Sequence, residues 1–122
     1  MMRKRIERLI PQAMDELQML ADKNKKIPKV YDSYIAAFGP SVITAGLLMT
    51  VMFYEGDDKK RKINQIFWHL LQTEHQTGNT TSLKDYLQKR HTDPAVRACL
   101  LDIAVACKLA VRTFELDKEK DE

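Results

Sequence analysis

The chain has 122 residues, 44% apolar and 30% charged, a balance that suits one globular domain with its own core and excludes a disordered or disulfide-stapled class. Its formal charge is +3, yet Glu115 to Glu122 holds five acids against two lysines, so the body up to Phe114 stands at +6. A basic body beside an acidic tail suits an anionic partner such as nucleic acid.

Every long segment repeats at the helical period and none alternates as a strand would. The expected fold is therefore all-α, a compact bundle of five to six helices in a single domain over residues 1–116. The first helix carries Ile6, Ile10, Ala13, Leu17 and Leu20 in one stripe that passes in phase through Pro11, and Asn24 is its expected left-handed cap. The basic start Met1-Met2-Arg3-Lys4-Arg5 is followed by no long apolar stretch before Pro11, which is not the pattern of a secretory signal. Pro28 can open a second helix with Tyr31, Tyr34, Ile35 and Phe38 inward, and Gly39-Pro40 is expected to stop it.

A third helix is expected from about Ser41 to Tyr54, capped by Gly56. Its apolar run, Val42 to Tyr54, is 13 residues long. A bilayer needs roughly 20, so the reading is a buried helix and no membrane contact. Gly46 inside it costs roughly 1 kcal/mol against alanine, which predicts a close approach of two backbones at that point.

Asp57 is a natural N-cap for a fourth helix, with Ile63, Ile66, Phe67, Leu70 and Leu71 inward and an end near Glu74. A polar loop follows over 76–81, after which Ser82 can cap a short helix that buries Leu83, Tyr86 and Leu87. Asp93-Pro94 opens the last helix, expected to reach Leu116. It has two apolar faces, one of Leu100, Ile103, Cys107 and Val111 and one of Leu101, Val105 and Leu109, so it is central in the bundle or also faces a partner. Residues 117–122 are expected to form a frayed acidic tail.

Recognisable chemistry is sparse. Cys99 and Cys107, eight apart on one helix, lie about 12 Å apart along its axis, too far for a disulfide, and read as buried thiols of a reducing cytoplasm. His69 and His75 sit about 120° apart around a helix and do not converge on a metal. With no zinc spacing, phosphate-binding loop, dinucleotide fingerprint or nucleophile motif, the chain is expected to be no enzyme, with no cofactor, no metal and no small-molecule substrate.

The basic residues cluster instead. Lys25 and Lys26 flank the first inter-helix turn, Lys59, Lys60, Arg61 and Lys62 open the fourth helix, and Lys89 and Arg90 end the fifth. Cations near a helix C-terminus, or Asp58 paired with Lys62, need no partner to explain them. Four consecutive cations at a helix N-terminus oppose its dipole, and phosphate held there by side chains and amides would relieve that. Phe38, Phe53, Phe67 and Phe114 all fall on apolar faces, which leaves backbone recognition favoured over base stacking.

The order Tyr31-Asp32-Ser33-Tyr34-Ile35, then Phe38-Gly39-Pro40-Ser41, then Ala45-Gly46-Leu47-Leu48 with Val51-Met52-Phe53-Tyr54, resembles the small helical subunit (fifth subunit) family of the type III-B CRISPR RNA-targeting effector, the Cmr complex. The resemblance extends over the leading helix and the helix from Arg97 to Phe114. It implies a non-catalytic all-α subunit in antiviral defence, stacked in several copies beside the other Cmr subunits, with guide RNA and target RNA as partners. Lys25, Lys26, Lys59, Lys60, Arg61, Lys62, Lys89 and Arg90 are the candidate RNA-binding residues, chosen from charge and position. Two other readings stand beside it: a helical protein–protein adaptor without nucleic acid, and a helix-turn-helix DNA regulator. The apolar helix expected after Gly39-Pro40 argues against the DNA regulator.

Overall fold

Six α-helices form among the described residues: α1 (Met2–Leu17), α2 (Lys29–Ala45), α3 (Leu47–Glu55), α4 (Asp58–Glu74), α5 (Leu83–Arg90) and α6 (Pro94–Val111). The computed structural model describes residues 2–117, with side chains from Lys4 onward. The three expected side-chain caps form. Asp57 accepts the Lys60 N–H at 3.0 Å, Ser82 that of Asp85 at 3.2 Å, and Asp93 that of Ala95 at 2.9 Å. Each satisfies a first-turn donor that the helix leaves unpaired.

Helix α6 takes the middle of the bundle, packed against α1, α2 and α4. Leu100, Ile103, Cys107 and Val111 are buried there, as are Leu9, Ala13 and Leu17 on α1. Phe38 of α2 meets Phe67 of α4 edge to face at 4.7 Å and Tyr54 of α3 at 5.5 Å, which ties three helices at one aromatic junction. The Tyr54 hydroxyl donates to the Tyr34 carbonyl at 2.6 Å. Burial, helped by Tyr34, pushes its pKa up to about 12.

One charge enters the interior among the described residues. Asp102, 4% exposed, accepts a 2.8 Å bond from Arg5 Nε and so clasps α6 to α1. Arg8 with Glu74 at 2.6 Å and His69 with Glu16 at 2.8 Å join α1 to α4 nearer the surface. Both cysteines are buried and unpaired. No helix among the described residues is long and apolar enough to cross a membrane.

Helix α2 does not stop at Gly39-Pro40 but runs on to Ala45. Pro40 sits inside α2 as Pro11, after Ile10, sits inside α1, each at the cost of one backbone bond. The break falls at Gly46, with φ 92° and ψ 160°, a conformation open essentially to glycine alone. A Cβ built at Gly46 meets nothing within 4 Å, so the expected close backbone approach is absent and the glycine serves the bend itself. Thr50 clasps that bend. Its N–H and hydroxyl both donate to the Gly46 carbonyl, at 3.1 and 2.9 Å, which leaves the Ser41 hydroxyl as donor to Thr50 at 2.7 Å.

The apolar run after Val42 is only half buried. Leu47, Val51 and Tyr54 point inward, whereas Ile43, Met49, Met52 and Phe53 are 64%, 54%, 47% and 59% exposed. Phe53 therefore does not belong to the core, contrary to the sequence expectation. An apolar residue on every face gives no sequence signal for which face is inside.

Two boundaries also moved. α1 ends at Leu17 in a 3-10 turn over Gln18–Leu20, and the left-handed residue is Lys25 (φ 62°), not Asn24. The Asp22 carboxylate organises this turn by accepting the N–H groups of Asn24 and Lys26. α6 ends at Val111, and Glu115–Asp117 (β2) pairs in parallel with Lys26–Pro28 (β1), with Ile27 opposite Leu116. Strands of three residues are too short to show an alternating pattern. Asp117, expected in the tail, lies in this strand, and the rest of the expected tail, 118–122, lies outside the described residues.

Candidate nucleic-acid interface

The eight candidate cations divide by what already holds them. Lys25, Lys59, Lys62 and Lys89 are exposed and have no ion-pair partner among the described residues. Lys26 faces Glu115 across the two-stranded sheet at 3.6 Å. Lys60 lies over the Tyr34 and Tyr54 rings, 5.2 and 5.7 Å from their centres, a cation–π arrangement that fixes its stem against the fold.

Arg61 is the most committed of the eight. Its Nε and Nη2 donate to the Glu55 carbonyl at 3.1 and 2.9 Å, and Nη1 donates to Asp58 at 3.1 Å. The anticipated pair for Asp58 was Lys62, but the shorter i, i+3 reach to Arg61 is taken instead. Arg90 pairs with Asp93 at 3.8 Å and stands over the Tyr86 ring.

The start of α4 is less hungry for an anion than four cations in a row suggest. Asp57 already occupies the Lys60 amide with its carboxylate, and its carbonyl takes the Arg61 N–H at 2.8 Å. Phosphate at this corner would be met by Lys59 and Lys62 side chains, not by these two amides.

The tertiary structure brings two of the three clusters to one end. Lys60 over the Tyr34 ring sets the start of α4 against the second turn of α2, the helix that follows Lys25 and Lys26. Lys89 and Arg90 lie elsewhere, in a cleft of about 400 Å³ with Gln76, Thr77 and Gly78 beyond the end of α4. From Arg61 to His75 is 14 residues, about 21 Å of helix. The eight residues thus form two separate basic sites.

Sequence reasoning missed the tyrosines that hold Lys60, because Tyr34 and Tyr54 lie on different helices. It also placed no exposed aromatic, whereas Phe53 is exposed beside Met49 and Met52 on α3. Among the described residues no three of His, Cys, Asp or Glu gather as metal ligands. In comparison with known proteins, the chain matches no family model, no curated protein and no solved structure.

Proposed function

We propose that this chain is a non-catalytic small subunit of a type III-B CRISPR effector of the Cmr kind, working in the cytoplasm in several copies and touching the backbone of guide and target RNA. The observation that carries the RNA contact is that four of the eight candidate cations, Lys25, Lys59, Lys62 and Lys89, are exposed and have no ion-pair partner among the described residues. Compact ammonium groups on flexible stems neutralise phosphates and carry no base information. The resemblance around Phe38 to Leu48 supplies the particular assembly. Lys26, Lys60, Arg61 and Arg90 act at the margin of the contact, since each must loosen an internal partner to reach a phosphate.

A protein–protein adaptor is the second reading. It is favoured by Ile43, Met49, Met52 and Phe53, four large apolar side chains exposed close together in sequence around the Gly46 bend. The two readings separate in one experiment. RNA affinity of the full chain, alone and with the other effector subunits, is measured against salt for the parent and for a Lys59→Ala, Lys62→Ala double variant. RNA contact predicts a steep log–log salt slope that the double variant flattens by roughly 1.4, at about 0.7 per lost lysine on a single strand. Binding that is absent at low salt even in the assembly, or a slope unchanged by the two substitutions, leaves the adaptor.

A further inference from the structure

A groove of about 190 Å³ runs between α2 and α6, walled by Ala36, Gly39 and Pro40 on one side and by Leu101, Val105 and Lys108 on the other. The α6 wall is apolar and open to solvent: Val105 keeps 42% exposure and Leu101 is half-buried. Gly39 has no role inside the fold that accounts for it. It lies within α2 and not in a left-handed conformation, and a Cβ built on it meets nothing within 4 Å. Nor does Pro40 require a glycine before it, since Ile10 precedes Pro11 inside α1. Glycine within a helix is disfavoured against alanine. Its effect here is to leave the α2 backbone bare along the groove, where a second chain can come close.

Charge states what kind of occupant fits. Lys108 is the only charged residue in the lining. Arg97, Leu101, Val105 and Lys108 follow one another at i, i+4, i+8 and i+11, so one face of α6 reads cation, apolar, apolar, cation. The two cations stand eleven residues apart, about 16.5 Å of helix axis. Both are exposed and have no ion-pair partner among the described residues. The acids nearby do not answer them. Asp102 turns inward to Arg5. Asp32, one turn before Ala36, lies in no ion pair among the described residues, and residues 33–45 of α2 carry no charge.

We propose that this groove docks an amphipathic helix of a partner protein, one that carries large apolar side chains between two acidic ends. The apolar side chains fill the space over Gly39 between Pro40 and Val105, and carboxylates three turns apart meet Arg97 and Lys108. The groove uses none of the eight candidate RNA-binding residues and none of the exposed apolar residues around Gly46, so the site is separate from both readings above.

The probe is a side-chain-stapled helical peptide of twelve residues, with glutamate at both ends, leucine at the fifth and eighth positions and alanine elsewhere, so that its ends match the spacing of Arg97 and Lys108. A control peptide carries lysine at both ends. Each is titrated into the isotope-labelled full chain and followed by amide NMR. The expected result is saturable shifts confined to residues 36–40 and 97–108, with the lysine peptide bound about tenfold more weakly, the worth of two exposed ion pairs. Arg97→Glu combined with Lys108→Glu reverses that preference. Gly39→Leu fills the groove from a position with open space around it and abolishes saturable binding. Thermal melts establish that the variants are folded; if Gly39→Leu is not, the charge-reversed variant carries the test alone. No saturable shifts, shifts outside the groove, equal binding of the two peptides, a preference that survives charge reversal, or unchanged binding in folded Gly39→Leu overturns the proposal. Shifts in the groove that grow with protein concentration in the absence of peptide assign it to a second copy of the chain, and overturn the proposal as well.

Discussion

Replacing Gly46 by alanine separates two reasons for which a glycine can interrupt a helical hairpin. If the glycine made room for a neighbouring backbone, the added methyl would clash; if it supplied a backbone conformation, the methyl would find space and the strain would be dihedral. The space is there, with nothing within 4 Å of the new Cβ, while φ 92° and ψ 160° lie where an L-residue is held at a cost of about 1–3 kcal/mol. Gly46→Ala is therefore expected to destabilise the fold by about 2 kcal/mol. Gly56→Ala is the matched control. Gly56 sits at φ −78° in the right-handed helical region, and the nearest atom to its added Cβ is the Phe53 carbonyl oxygen at an ordinary 3.5 Å. Alanine there only restricts the unfolded chain and is expected to stabilise by about 0.4–1 kcal/mol. Urea titrations followed by far-UV circular dichroism and by Trp68 fluorescence read both. With an m-value of about 1–3 kcal/mol/M, the Gly46 loss lowers the midpoint by roughly 1 M, and the Gly56 change raises it slightly. Two alanines with the same effect, or a Gly46→Ala protein as stable as its parent, refute the conformational account.

The Arg5–Asp102 clasp and the buried ionisable groups give further expectations. Breaking a fully buried pair costs roughly 3–5 kcal/mol, and because the Arg5 side chain keeps 24% exposure Asp102→Ala is expected to cost about 2–3, with Arg5→Met plus Asp102→Leu recovering most of it in urea titrations. The fold should also be labile to alkali. Burial raises Cys99 from 9.0 up to about 11 and Tyr54 from 10.0 up to about 12, and it raises Cys107 in the same direction. The unfolded chain gives up these protons first, so stability is complete below about pH 9 and falls as pH climbs towards 12. Melting temperature followed against pH should fall across that window, less steeply in Cys99→Ala, and a flat profile contradicts the burial.

Sequence alone determined the helices with a clean stripe and a polar cap: α4 behind Asp57, α5 behind Ser82 and α6 behind Asp93-Pro94. Their signals are local, a capping oxygen within three residues and an apolar residue each turn, so no distant contact has to be known. The basic clusters were likewise legible as composition. Where local signals conflicted, tertiary structure decided. Gly39-Pro40 looks like a stop, yet the helix runs on to Ala45, and Gly46 looks like a packing notch until its dihedral angles show a bend. The apolar run through Ile43, Met49 and Phe53 carries no phase, so only the packing of α2 and α3 in the bundle decided which residues went inside. The β1–β2 pair, the Lys60 perch on Tyr34 and Tyr54, and the groove between α2 and α6 each join residues from separate elements. Their free energy comes from neighbours that only the fold supplies, so no window of sequence shows them.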